Sequence, residues 1–267
     1  MENLDFLFAI FVDVDVFMLI LVRVIGFFII LPIFSGANIP AIFRMLFAAA
    51  FAYMVFMTGV YTSDYIPIDN IMGMFTIVAT EFLVGFIMAY VVYVVFTTLF
   101  VVGLFIDDAV GFKIVSVMDP MSQIQVPVAG NLLFMMSMAM MVITGGLNLL
   151  LVTMARSFEF VPIGFANVVD NVDLMMYLTT VITGTLAMGL QMAMPLLAVG
   201  LLVNVALGIL VKSVPQMNMF VVGIPLRMSI GLIVFAMILP VYMGTYNILF
   251  DRALDAMINV IGFLAQG

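Results

Sequence analysis

A few ionisable residues stand where the surrounding sequence is almost wholly apolar, and they are the first candidates for chemistry. Arg23 lies inside an apolar block, with Asp13 and Asp15 about two helical turns before it. Glu81 has uncharged sequence on both sides, Ile71–Thr80 before it and Phe82–Ile106 after it. A charge at the centre of an apolar helix costs about 2.5–3.5 kcal/mol on insertion scales, so each position needs a physical reason. Arg23 has two readings: an ion pair or contact with a neighbouring subunit, or a side chain that snorkels to an interface. Glu81 reads as half of a structural pair with an Arg or Lys on another helix or chain, with a proton-relay role as the alternative. Asp107 and Asp108 are adjacent carboxylates. Neighbours on a helix project about 100° apart and do not share a site, so these two read as a solvated helix end.

Other chemistry is poorly supplied. The 267 residues include no cysteine and no histidine, which removes disulfides, thiolate nucleophiles, ordinary zinc or copper sites and the usual general base. No catalytic residues, metal ligands or cofactor-binding residues are therefore expected, and the chain reads as a non-enzyme. Seven Lys+Arg against fifteen Asp+Glu give a net charge of −8, which argues against a nucleic-acid partner.

The elements that must position these residues follow from composition. Hydrophobic residues make up 67% of the chain and charged ones only 8%, where a soluble domain needs about a quarter charged. The chain is therefore expected to live in a bilayer or inside a membrane complex. Six hydrophobic blocks are long enough to form helices: Val16–Leu31, Ala41–Tyr61, Ile71–Ile106, Val126–Ala155, Met175–Val211 and Phe220–Phe250. No period-2 alternation marks a barrel strand, so the fold class is all-α. Pro195 sits near the middle of the uncharged fifth block, and Gly145-Gly146 interrupts the fourth. Both blocks are read as helical hairpins, because proline removes a helical donor and clashes with the preceding turn. The opening Met1-Glu2-Asn3-Leu4-Asp5 is acidic and lacks the positive start of a signal peptide, so insertion is expected to rest on internal segments. The 27 methionines include clusters at Met135–Met141 and Met217–Met219, and from composition alone they read as fillers of Leu positions, with a deformable surface lining something that opens as the alternative.

The order of motifs along the chain resembles the FliR/SctT family, the export-gate subunits of flagellar and virulence type III secretion systems. Val22-Arg23-Val24, Pro32, Ile39-Pro40 and Arg44 resemble its opening signature, and Glu81-Phe82-Leu83-Val84-Gly85 its Glu-x3-Gly helix. Gly103-x2-Ile106-Asp107, Gly111-Phe112, Asp119-Pro120 and Pro127 are similar to its central loop. Arg156-Ser157-Phe158 and Pro162-Ile163-Gly164 follow in order. The most specific stretch is C-terminal: Gly189-Leu190-Gln191, Pro195, Asn204, Gly208, then Pro215-Gln216-Met217-Asn218-Met219-Phe220 and Pro225-Leu226-Arg227. One departure is Gly145-Gly146-Leu147, where family members often carry Gly-His, so no titratable group stands there.

This resemblance implies a single export-gate membrane domain over residues 1–267, built of kinked helical hairpins. Residues 1–174 would form a FliP-like part and residues 175–267 a FliQ-like hairpin with C-terminal helices. The chain would join FliP-like and FliQ-like subunits in a closed pore, beside FlhB-like and FlhA-like proteins, in the bacterial inner membrane at the flagellar basal body. Unfolded export substrates would pass through it. Phe112, Val115, Met118, Asp119, Pro120 and Met121 are expected to form the pore plug, with apolar side chains that exclude water. Arg23, Arg44 and Glu81 would be structural, and Gln191, Pro195, Pro215, Gln216 and Asn218 would make the hairpin and its subunit contacts. The Pro-Gln-x-Asn-x-Phe-Val-Val-Gly run leans flagellar. A virulence injectisome gate is one alternative, and a self-contained secondary transporter with Glu81 and the interrupted helix near Pro195 at its binding site is another.

Overall fold

A computed structural model of the chain describes residues 2–35, 39–59, 61, 71–112, 127–213 and 219–266, with the side chains of 2–13, 219 and 220 left undescribed. Every regular element among the described residues is helical: α1 (Glu2–Ile30), α2 (Ala41–Thr58), α3 (Ile71–Val110), α4 (Val128–Ile143), α5 (Gly146–Phe160), α6 (Val172–Ser213), a single π turn (Met219–Gly223), α7 (Ile224–Gly244) and α8 (Tyr246–Ala265). The expected all-α class is what the chain adopts.

Local chemistry sets the helix ends. Pro40, extended at φ −55° and ψ 142°, precedes α2, and Gly59 in the left-handed region at φ 63° ends it. Asn171 caps α6: its side-chain oxygen accepts the Leu174 N–H at 2.9 Å, a donor with no partner inside the helix. Asp173 in the first turn and Lys212 in the last both complement the helix dipole. Gly145, at φ 75°, splits the fourth hydrophobic block into α4 and α5, the break expected from Gly145-Gly146.

Pro195 behaves differently from expectation. It sits inside one continuous helix of 42 residues, so the fifth block is not itself a hairpin. Proline removes only its own N–H and leaves the carbonyl four residues back unpaired, a loss that neighbouring elements can absorb. Here the Tyr242 hydroxyl of α7 donates to the Met192 carbonyl at 3.1 Å, beside the proline-weakened turn. The hairpin is instead made by α6 with α7. Tyr242 lies against Met192, whereas Leu196, Val199 and Val203 share a small cavity with Arg227, Gly231 and Val234, so the two helices run antiparallel. The connection between them, with Pro215, Gln216 and Asn218, lies outside the described residues.

The chain forms two compact units. One comprises 1–95, 144–181 and 251–267, and the other 96–143 and 182–250. In the first, Phe28 of α1 packs its ring 5.0 Å from Phe34 and 5.9 Å from Phe51, while Phe17 meets Phe56 edge-on at 5.7 Å. In the second, Phe100 and Phe134 bring α3 and α4 together at 4.6 Å. Among the described residues four helical segments are long and apolar enough to cross a membrane: Ala41–Thr58, Ile71–Val110, Val172–Ser213 and Val221–Gly244. The α4–α5 pair counts as a fifth if taken as one broken span. This is a membrane protein. The 40 residues of α3 correspond to about 60 Å of helix, roughly twice a bilayer's hydrocarbon thickness.

Candidate functional site

Two of the charged residues singled out in the sequence, Arg23 and Glu81, meet inside the first unit. Two glycines make that possible. Gly26 follows Arg23 by one turn on α1, and Gly85 follows Glu81 by one turn on α3. A Cβ at Gly85 would lie 2.8 Å from the carbonyl carbon of Arg23 and closer still to its oxygen. One at Gly26 would press on the backbone of Phe82 and sit 3.1 Å from the Phe86 nitrogen. The two backbones therefore pass at a distance only glycine allows, and the short Glu81 side chain reaches Arg23.

The Arg23 Nε donates to Glu81 Oε2 at 2.5 Å, and both side chains are fully buried. The other carboxylate oxygen, Oε1, accepts the backbone N–H of Gly164 at 2.8 Å. Gly164 has φ 85°, a left-handed conformation natural to glycine, in the connection after α5. Arg23 Nη1 donates to the carbonyls of Val161 at 3.1 Å and Ser157 at 3.4 Å. These lie at the C-terminal end of α5, where a cation complements the dipole, and the Ser157 carbonyl also accepts the Val161 N–H at 2.9 Å. The guanidinium also lies 4.3 Å over the centroid of Phe158. One ion pair thus ties α1, α3, α5 and the 161–164 connection together. Arg23 does not snorkel: it is buried because four partners receive it. Nη2 of the same group is buried without a hydrogen-bond partner.

The second unit holds a polar junction that departs from the expectation for Asp107 and Asp108. Asp108 is exposed, but Asp107 is only 4% exposed and is not a solvated end. Its carboxylate accepts the Ala129 N–H in the first turn of α4 at 3.1 Å. Helical rotation separates the two neighbours, turning one inward and the other to the surface. Arg227 of α7, which sequence reasoning used only as a motif residue, donates from Nε to the Ala109 carbonyl at 3.1 Å and from Nη2 to the Asp108 carbonyl at 2.5 Å.

The remaining expected site residues are scattered. Arg44 is half-buried on α2, its Nε enclosed with no hydrogen-bond partner. Gln191 and Pro195 are exposed on α6. Phe112 is half-buried just past Gly111, which turns the chain out of α3 at φ 92°. Val115, Met118, Asp119, Pro120 and Met121 lie outside the described residues. The roles of Gly26, Gly85 and Asp107 were missed. A glycine one turn from an isolated charge on each of two apolar helices is the signal that leads to the first pair.

This arrangement binds helices to one another; it does not assemble a nucleophile, base or metal cage, and among the described residues no three metal-ligating side chains converge. Fold and site together define an all-helical membrane protein stapled by buried charge. The family model described as bacterial export proteins, family 1, matches residues 14–253, and the chain belongs to that family. It is similar to the flagellar biosynthetic protein FliR of Bacillus subtilis, 29% identical over 251 residues that cover 93% of this chain and 95% of that protein. The FliR of Escherichia coli is 23% identical over 91% of this chain and 92% of its own length. That of Aquifex aeolicus is 25% identical over 82% and 83%.

Proposed function

We propose that this chain is a core subunit of the flagellar type III protein export gate, assembling with FliP-like and FliQ-like subunits into a closed pore for unfolded flagellar proteins. The observation that carries the reading is the family match across residues 14–253, joined by full-length similarity to proteins named for flagellar biosynthesis. The flagellar name of those relatives favours the flagellum over the injectisome. FlhB-like and FlhA-like proteins are the further neighbours, and the inner membrane at the basal body is the site of action.

The surface supports a life in a complex. In α2, Ile42, Leu46, Met54 and Met57 are each 60% or more exposed, and in α7 Met237 reaches 73%. Helices of 40 and 42 residues exceed what a bilayer alone can cover. Apolar surface of this extent is buried by partner subunits as well as lipid.

The chain supplies no covalent step. Its task is to hold a conduit shut and to yield to cargo, with energy supplied elsewhere in the apparatus. Phe112, Val115, Met118 and Met121 fill the closed pore with apolar side chains that exclude water, and Asp119-Pro120 restricts the backbone between them. Replacing Phe112 and Met118 together with glycine is expected to raise the ion conductance of membranes carrying the assembled complex. Unchanged conductance, with normal amounts of complex, removes the plug assignment.

A further inference from the structure

The junction at the C-terminal end of α3 has no role in the Arg23–Glu81 clasp. Its chemistry is specific. Asp107 places an anion on the first turn of α4, where backbone N–H groups lack helical partners, through the 3.1 Å bond to Ala129. Arg227 places a cation on the last carbonyls of α3, those of Asp108 and Ala109. Each charge has the sign that the helix end it touches favours.

Backbones pass close to one another at the same place, beside the small cavity that Ala109, Val110, Gly200, Arg227 and Gly231 help to line. A Cβ on Gly130 of α4 would sit 3.3 Å from the Gly103 Cα of α3. One on Gly200 of α6 would lie 2.9 Å from the Ala109 side chain, and one on Gly231 of α7 would lie 2.9 Å from the Val110 Cα. Glycines from α3, α4, α6 and α7 thus let four helices meet at backbone distance. Backbones this close leave little room for side chains directly between them, and directional hydrogen bonds add to what holds the register.

We propose that Asp107 and Arg227 are positioning residues, forming a latch that holds α4 and α7 against the C-terminal end of α3 and thereby sets the closed state of the conduit. The link to the conduit rests on the gate reading; the latch itself does not. Neither residue touches cargo, and both act through helix ends.

The absence of cysteine makes the test clean. Leu133→Cys places a single thiol at a position only 2% exposed, one turn along α4 from Ala129. Its labelling by a maleimide in membranes carrying the assembled complex reads how often α4 leaves the bundle. Adding Asp107→Ala is expected to speed labelling about tenfold, and Arg227→Gln, which removes two charge-assisted hydrogen bonds, at least as much. Asp107→Asn keeps an oxygen acceptor and Arg227→Lys keeps a donor, so both should return labelling to within about threefold of the parent, as expected for neutral or single replacement bonds. Labelling unchanged by Asp107→Ala and Arg227→Gln overturns the latch, as does failure of the conservative variants to restore protection. If a variant does not assemble in the Leu133→Cys background, Ala129→Cys serves as the reporter with the same expected order. Ion conductance separates the two layers. If Asp107→Ala speeds labelling without leak while the Phe112/Met118 glycine variant leaks, control of the conduit by the latch is overturned. If labelling speeds and neither variant leaks, the latch between the helices stands, and both the plug assignment and control of the conduit by the latch fall.

Discussion

Arg23→Met should cut the stability of the folded chain by about 3–5 kcal/mol and lower its accumulation in membranes. The substitution leaves Glu81 fully buried beside the Gly164 N–H with its cation gone, and it strips the end of α5 of its donor to Val161 and Ser157. Breaking one side of a buried pair costs about 3–5 kcal/mol, a large share of the 5–15 kcal/mol that holds a typical domain together. Glu81→Leu alone should be nearly as damaging, because the guanidinium then stays in the apolar interior with only carbonyls and the Phe158 ring. The double variant Arg23→Met/Glu81→Leu is the informative one. With both charges removed the desolvation penalty disappears, and at least half of the lost stability should return, about 2 kcal/mol. Thermal unfolding in detergent, read across the four proteins of this cycle, gives the coupling. Purely additive losses would mean that the pair contributes nothing as a pair. Arg23→Lys should not rescue, since an ammonium is a point donor and cannot bridge Glu81, Val161 and Phe158 at once.

Gly85→Val should be comparably severe by a different route. The added side chain meets the Arg23 carbonyl, a backbone group on a helix fixed by its own hydrogen bonds. No rotamer removes a Cβ, so α1 and α3 must separate. Overpacking of a tight core costs typically about 1–3 kcal/mol, and contact with backbone rather than a flexible side chain places this case at the upper end. Separation also stretches the Arg23–Glu81 contact, so the losses from Gly85→Val and Arg23→Met should be less than additive. Gly184→Val, where a Cβ would meet nothing within 4 Å, is the matched control and should leave stability within about 0.5 kcal/mol. Equal behaviour of the two variants would show that the close approach of α1 and α3 is unimportant.

These residues also show what the sequence could reveal. Arg23 and Glu81 announced themselves by being charged in apolar runs, and that local contrast is visible without a structure. Their pairing was not visible: they are 58 positions apart, and only the tertiary approach of α1 and α3 chooses one partner from all candidates. The helix starts at Ala41 and Ile71 and the break at Gly145 followed from proline, uncharged runs and glycine, all local effects. Pro195 misled because one missing donor need not end a 42-residue helix, and the α7 side chain packed beside that turn, Tyr242 on the Met192 carbonyl, comes from 50 positions away. Asp107 misled because it shares its dipeptide with a carboxylate that does face outward. Which of two adjacent acids turns inward depends on the rotation of α3 against α4, which composition does not encode. The plug residues Val115, Met118, Asp119, Pro120 and Met121 lie outside the described residues, and their assignment comes from the family resemblance.

The central claim is that this chain works as one part of an export assembly. Extraction of membranes in mild detergent through a tag on the chain, followed by mass measurement of the intact particle, tests it most directly. The claim predicts a particle several times the 29.3 kDa of the chain itself, containing other apolar membrane chains in fixed ratio. A stable 29.3 kDa protein recovered alone and taking up a small solute would contradict it.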